Sequence, residues 1–490
     1  MIVHHYLACD LGAESGRVIL GTLANGRLTL EEIHRFTNGP MRVNGTLRWD
    51  VLQIFDELKM GLRKVAARSI NPDSLSCDSW GVDYVWLRDN EPMLAVPFHY
   101  RDPARNQGAF ERVFAVVPAA EIFAETGIQL MTINTLYQLH ADRLCRPWVF
   151  KSAERFLNIG DYFNFLFSGV VRAEESLAST TQLYNPRKRK WSRVLQKKLG
   201  LPKKLFPEVV RSGTVLGPLS SFVVTETGLA NMQVVASCSH DTGAAVAAVP
   251  AQGNGWAYLS SGTWSLLGIE SKKPIITGQS HDYNFTNEVG FGGSIRFLKN
   301  IIGLWIQQEC RRAWAQESRD PDYAEMVKLA EAAAPLKVLI NPTDPRFSKP
   351  DDMPQKIVDY CRETGQTPPA TQGEFVRCIL ESLALLYRQT LDQVEVITGK
   401  KLTRLRIVGG GSQNKLLNQC SANATGRIVI AGPTEATAAG NVLIQAIALG
   451  HLSSLETLRQ VMRESFIVTT YNPQDSGLWS NAVRRFKGLK

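Results

Sequence analysis

The chain has 490 residues, room for two large domains each with its own core. With 44% hydrophobic and 21% charged residues it is neither disordered nor, at Gly 38 and Pro 23, fibrous or of low complexity. Lys+Arg 55 against Asp+Glu 46 leaves a formal charge of +9.

Residues 3–9 and 17–23 read as strands joined by the turn Asp10 to Gly16, with a third strand over 28–36. From 50 to 68, apolar residues at Val51, Ile54, Phe55, Leu58, Leu62 and Val65 mark an amphipathic helix capped by Asp50. Short strands follow at 75–78 and 82–87, around Trp80-Gly81. Between Arg187 and Lys204 lie nine basic residues with no acid among them, equal to the whole net charge. Such a run suits either a phosphate or nucleic-acid patch, or a solvated helix with Trp191, Val194, Leu195 and Leu199 turned inward. No aromatic platform accompanies it, so the solvated face is preferred and no nucleic-acid partner is expected.

The second half opens in the same way. Residues 233–238 form a buried strand and 242–249 a helix of small residues. Residues 250–255 (PAQGNG) then have no periodicity and read as a linker. Beyond it, Ser260-Ser261-Gly262-Thr263 overlays Asp10-Leu11-Gly12-Ala13 at an offset of 250, which predicts two similar halves. A long helix is expected over 374–397, a strand over 405–408 ending in Gly409-Gly410-Gly411, and a helix over 412–424. A strand over 427–431 and a helix over 434–449 follow, the alternation of a sheet covered by helices. The eight cysteines lie at least 17 residues apart, without metal-ligand spacing, and no apolar run approaches ~18 residues. Free thiols, no basic leader and no membrane span make a soluble cytoplasmic protein the expectation.

No P-loop, Gly-x-Gly-x-x-Gly, His-Glu-x-x-His or Gly-x-Ser-x-Gly motif occurs. Chemistry is left to Gly/Ser/Thr turns at strand ends, where backbone N–H groups and hydroxyls can meet phosphate oxygens. In Asp10 to Arg17 the acid could hold Mg²⁺ and Arg17 a phosphate, or the segment could be a plain hairpin. Thr263 is the matching candidate in the second half. Asp241, at a helix start, reads first as an N-cap and second as a general base. His240 is either a ligand contact or a buried, satisfied histidine. Three glycines at 409–411 exceed the needs of a tight turn and suit a flat ligand such as adenine.

These turns, in this order, resemble the FGGY family of carbohydrate kinases, within the sugar kinase, Hsp70 and actin superfamily. The segments that carry the resemblance are DLGAESGR (10–17), SWGVDYV (79–85), INTLYQL (133–139), SHDTGAAV (239–246), YLSSGTWSLLG (258–268), FLKNIIGLW (297–305) and VGGGSQN (408–414). The resemblance implies an α/β protein of two actin-like (ribonuclease H-like) domains, each with a mixed five-stranded sheet. It divides the chain into a sugar-binding domain over 1–247, an ATP-binding domain over 248–455 and a tail over 456–490.

Residue by residue, it implies that Ala13, Glu14, Ser15, Gly16 and Arg17 contact ATP phosphates and that Asp10 positions Mg²⁺. Thr263, Gln308 and Gly410 would also bind ATP. Gly81, His240, Asp241, Thr242 and Asn300 would line the sugar, with Asp241 as catalytic base. Many members carry a Lys-Leu-x-Trp element after a Thr-Gly pair. Here Thr126-Gly127 is followed by Asn134-Thr135-Leu136-Tyr137-Gln138-Leu139, with neither Lys nor Trp. That departure speaks against xylulose or polyol specificity and matches the branch acting on L-rhamnulose at its 1-hydroxyl. The alternatives are another ketose such as L-fuculose, or a non-enzymatic actin/Hsp70-like interaction module driven by nucleotide. A monomer or homodimer is expected, with sugar and ATP as its only partners.

Overall fold

The computed structural model describes residues 2–93, 96–316 and 321–489. The chain divides into two compact units that interleave in sequence. The first comprises Met1–Pro250, Glu270–Phe297 and Ala436–Ser465; the second comprises Ala251–Ile269, Leu298–Glu435 and Phe466–Lys490. Grouping by contact therefore differs from simple cuts at 247 and 455, chiefly because residues 436–465 return to the first unit.

The first unit is built on β1 (Val3–Leu11), β2 (Ser15–Ala24), β3 (Arg27–Thr37), β4 (Ser74–Ser79), β5 (Thr214–Pro218) and β6 (Gln233–Ala236), in the spatial order β5-β6-β4-β1-β2-β3. β1 runs antiparallel to β2 and parallel to β4, β4 is parallel to β6, and β5 is antiparallel to β6. Every residue of β4 is buried, as befits a central strand covered on both faces. One cover is the helix Ile159–Ser168 and the other is Ala436–Ala448. β6 pairs with β4 only at Ser74 and Leu75. Beyond that point the Asn164 side chain accepts from Cys77 N–H (2.8 Å) and donates to Cys77 C=O (3.0 Å), closing the ladder that β6 leaves open.

Helix Val51–Ala66 forms where the apolar period placed it, with the Asp50 carboxylate accepting from Gln53 N–H. Its buried stripe of Val51, Ile54, Leu58, Leu62 and Val65 joins a core with Leu7, Cys9, Val18 and Leu20. In the basic segment Trp191, Leu195 and Leu199 are buried as expected, but Val194 is exposed. Its helix, Arg193–Lys198, has only six residues and turns position 194 outward.

The second unit carries β7 (Trp256–Ser261), β8 (Trp264–Ser271), β9 (Ile295–Ile302), β10 (Arg404–Val408), β11 (Ile428–Ala431) and β12 (Thr469–Tyr471). Their order, β9-β8-β7-β10-β11-β12, repeats that of the first sheet. The pairings repeat too: β7/β8 antiparallel, β7/β10 and β10/β11 parallel, β11/β12 antiparallel. The offset of 250 is thus a true internal repeat. The first sheet has six strands, and the second has the same six in order plus a seventh, Thr286–Val289, beside β9, which corrects the expected five. Of the extra strands, the short edge pieces β5 and β12 are too exposed to show a buried run in sequence, whereas Thr286–Val289 is buried but only four residues long. The 27-residue helix Gln372–Thr398 packs against Tyr323–Ala332 and Lys415–Thr425. All eight cysteines are free, seven of them buried. Among the described residues no helix is long and apolar enough to cross a membrane.

Candidate active site

In the first unit, the C-terminal end of β1, the matching end of β4 and the start of helix Asp241–Ala247 bring three carboxylates together. Asp10 stands in register with Asp78 across the parallel β1/β4 pair, so both side chains leave the same face. Ser79, the next residue, bridges to His240. Burial and the Asp10 carboxylate push Asp78 well above the usual carboxylate range, and they push Asp241 up to about 7. Asp78 is fully buried; its Oδ2 accepts from Asn441 (2.5 Å) while its Oδ1 has no hydrogen-bond partner. Sequence reasoning missed Asp78, although an acid inside the otherwise buried run Ser74–Ser79 was its signal.

Asp241 does not cap its helix in the usual way. His240 occupies the cap position and Asp241 the first turn, its Oδ1 accepting from the N–H and hydroxyl of Thr242. Three-tenths of the Asp241 side chain stays exposed, whereas His240 is buried. Arg296, fully buried, donates to His240 Nδ1 at 2.9 Å and pairs with Glu288 at 3.1 Å. A guanidinium only donates, so Nδ1 accepts and the ring proton sits on Nε2, 3.4 Å from Asp241 Oδ1. Burial and Arg296 hold His240 well below the ordinary histidine range, so the ring is neutral.

The backbone before Asp241 is fixed by Glu174. Its carboxylate accepts from Ser239 N–H (3.0 Å), Ser176 N–H (2.9 Å) and the Ser212 hydroxyl (2.5 Å), and burial pushes it up to about 7. Ser176 in turn accepts from His240 N–H at 3.2 Å.

Gly81 and Thr242 lie in the same unit. A Cβ at Gly81 would come within 2.9 Å of the Thr180 hydroxyl. The following residue, Val82, has φ 72°, a left-handed conformation that costs a β-branched residue about 1–3 kcal/mol. It is held there by its carbonyl, which accepts from Thr135 (2.6 Å) and Gln138 (3.3 Å). Behind it Asp83 Oδ2 accepts from both indoles, Trp49 at 2.6 Å and Trp80 at 3.1 Å, and from Tyr100 N–H at 3.2 Å.

The turn Gly12 to Ser15 closes with Gly12 N–H donating to Ser15 C=O, and Asn38 buttresses it through the carbonyls of Gly12 and Glu14. Arg17 donates to Asp10 Oδ2 at 2.5 Å and lies 3.8 Å from Glu32, so its charge is already balanced on the Asp10 side. Gly16 has the Phe36 ring against its Cα, leaving no room for a side chain.

The remaining expected residues fall in the second unit. Thr263 heads the β7–β8 turn, its carbonyl accepting from Gly303 and Trp305 N–H. Gln308 sits in helix Trp305–Gln316 with a buried Oε1 lacking a partner. Of the three glycines, Gly409 has φ 83° and Gly411 packs on Ser261, while Gly410 faces open space. Asn300 lies on β9 in the part that belongs to this unit.

Two family models cover nearly the whole chain: the N-terminal domain of the FGGY family of carbohydrate kinases matches residues 5–248, and its C-terminal domain matches 257–449. The chain belongs to the FGGY family of carbohydrate kinases. Its similar relatives include a rhamnulokinase of Bacteroides thetaiotaomicron, 43% identical over 483 residues and 99% of both chains. Another, of Oceanobacillus iheyensis, is 41% identical over 465 residues, 95% of this chain and 97% of its own. Among solved structures, a ligand-bound xylulose kinase from Lactobacillus acidophilus aligns over 99% of this chain and 97% of its own, with TM-score 0.81 at 14% identity. Plasmodium falciparum glycerol kinase with ADP aligns over 99% and 98%, with TM-score 0.78 at 16% identity. These two establish the shared two-domain fold. FGGY membership makes the chain a sugar kinase that uses ATP.

Proposed function

We propose that the chain transfers the γ-phosphoryl group of ATP to the 1-hydroxyl of L-rhamnulose in the cytoplasm, giving L-rhamnulose 1-phosphate and ADP in L-rhamnose catabolism. The observation that carries the substrate is near-full-length identity of 40–43% to relatives named rhamnulokinase, beside the missing Lys and Trp after Thr126-Gly127. Asp241 is the base: it is part exposed, its carboxyl is poised near neutrality, and Thr242 and His240 orient it. It accepts the proton of the attacking sugar hydroxyl as the new P–O bond forms and the bond to ADP breaks. Phosphoryl transfer has a loose transition state, so positioning and charge neutralisation are the protein's main tasks.

Gly81, His240, Thr242 and Asn300 line the sugar. Ala13, Glu14, Ser15, Gly16 and Arg17 receive phosphates, and Thr263, Gln308 and Gly410 bind ATP. The orphaned buried oxygen of Asp78 next to Asp10 fits Mg²⁺, which prefers hard oxygen donors and bound water. Asp10 would hold the ion with Asp78 behind it, and the ion would neutralise phosphate charge. Within 187–204, Arg189 pairs with Glu175, Lys198 with Glu121, and Arg187 donates to the Ala124 carbonyl, contacts that favour the solvated-face reading of this segment.

The test is product analysis by mass spectrometry after incubation with ATP, Mg²⁺ and either L-rhamnulose or L-fuculose. L-rhamnulose 1-phosphate as the preferred product is expected. Preference for L-fuculose, or ATP hydrolysis without any phosphorylated sugar, rejects the assignment.

A further inference from the structure

A second group of donor atoms lies at the other end of β1 from Asp10. His4 is six residues before Asp10, a separation of about 20 Å along an extended strand. His4, Asp73 and His451 each offer one ligand atom, and the three atoms lie within 4.8 Å of one another. They come from three distant stretches of the first unit: the start of β1, the residue before β4, and the turn that ends helix Ala436–Ala448. All three are half-buried, so they are held by the fold yet open to an ion from solvent.

The backbone around the group is firmly held. His4 Nδ1 is 3.3 Å from Asp73 Oδ2, the separation two ligands adopt on a tetrahedral ion with bonds of about 2.0–2.1 Å. Asp73 is tied to the sheet on both sides, its N–H donating to His5 C=O and its C=O accepting from Gln233. His5 N–H also donates to Asp73 Oδ2 at 3.1 Å. The His451 ring stacks face to face on His4 at 3.5 Å between centroids, so His4 has to turn out of the stack before both in-plane lone pairs can meet one ion. His451 is anchored by its backbone N–H, which donates to Ala446 C=O. Its Nδ1 meets the Tyr6 hydroxyl at 2.6 Å. That contact fixes the ring and leaves Nε2 as the free donor when Nδ1 carries the proton, the arrangement of an outer partner behind a ligating histidine.

Two imidazoles and one carboxylate form a borderline donor set that selects Zn²⁺ over Mg²⁺ or Ca²⁺ and leaves a fourth position for water. We propose that the chain binds one Zn²⁺ through His4, Asp73 and His451, with Tyr6 orienting His451. The ion pins the returning segment 436–465 to the first strand and stabilises the first unit. It takes no part in phosphoryl transfer.

The test uses the full-length chain stripped of metal, titrated with Zn²⁺ by calorimetry and with Co²⁺ by visible absorbance. One saturable site is expected, with a rise in Tm on adding Zn²⁺. The double variant His4→Ala/His451→Ala should lose the site and the Tm rise while keeping its sugar kinase activity. Tyr6→Phe should weaken Zn²⁺ by about tenfold, the usual effect of losing an outer partner. Asp73→Asn, which keeps an acceptor for His5, should weaken it at least as much and serves if the double variant is unstable. No saturable site in the unsubstituted chain, or unchanged affinity in these variants, overturns the proposal.

Discussion

Asp241, the proposed base, owes its raised carboxyl to its surroundings. Burial and the Asp10 charge both disfavour its ionised form, which raises its folded-state value from about 4 to about 7. Activity should therefore fall as pH drops below about 7 and the carboxylate takes up its proton, read as kcat/KM across pH 5–9. Asp241→Asn should reduce kcat at least ~10²-fold while ATP still binds. The same shift acts on stability with a definite sign. A raised carboxyl means that the folded state holds the proton more tightly than the unfolded chain, so stability declines as pH rises from about 4 through about 7. Asp241→Asn removes that decline and should melt above the unsubstituted chain at pH 8, with the gain vanishing near pH 4. The proposed base is thus a cost to the fold. Local sequence left Asp241 open between cap and base because both uses place an acid at a helix start. What favours the base is depth and the company of Asp10, Asp78 and Arg296, none of which is near in sequence.

At the scale of elements, the helix that carries Asp241 is seated by glycine. A Cβ at Gly440 would lie 2.0 Å from the Ala244 carbonyl oxygen, so helices Asp241–Ala247 and Ala436–Ala448 touch backbone to backbone. The obstacle is main chain and cannot rotate away. Gly440→Ala should push the two helices apart, costing about 1–3 kcal/mol in stability. Because misplacement by ~1 Å costs up to 10²-fold, kcat should fall far more than the folded fraction does. Activity per folded molecule, measured beside a denaturation curve, checks this. The periodic helices and buried strands were legible in the sequence because their burial pattern is local. Val51–Ala66 and β10 were found to within two residues. The edge strands β5 and β12 were not, since an exposed strand with half a pattern looks like a loop. Nor was Val82, whose left-handed backbone is imposed by Thr135 and Gln138 rather than by its own preference.

For the whole molecule, the internal repeat was visible from one pair of turns because each begins the same six-strand order. The family assignment followed from seven short segments, and the fold from the family. The sequence did not reveal that the first unit is completed by the distant segment 436–465. Gln445 donates to Leu7 C=O and accepts from the Ser74 hydroxyl, and Asn441 caps Asp78, all fully buried. Without residues 436–465 these partners are missing, and buried polar groups without partners cost about 1–3 kcal/mol each. A fragment ending at Pro250 should therefore show no cooperative thermal transition, whereas the whole chain should; circular dichroism on heating reads the difference.

The returning helix also sets a timetable for biogenesis. At about 5–20 residues per second, translation from Pro250 to Ala436 takes on the order of ten to forty seconds. Through that interval the nascent first lobe waits on the ribosome with the face of β1 and β4 that will receive Ala436–Ala448 still bare. Chaperone demand during synthesis is thereby written into the connectivity.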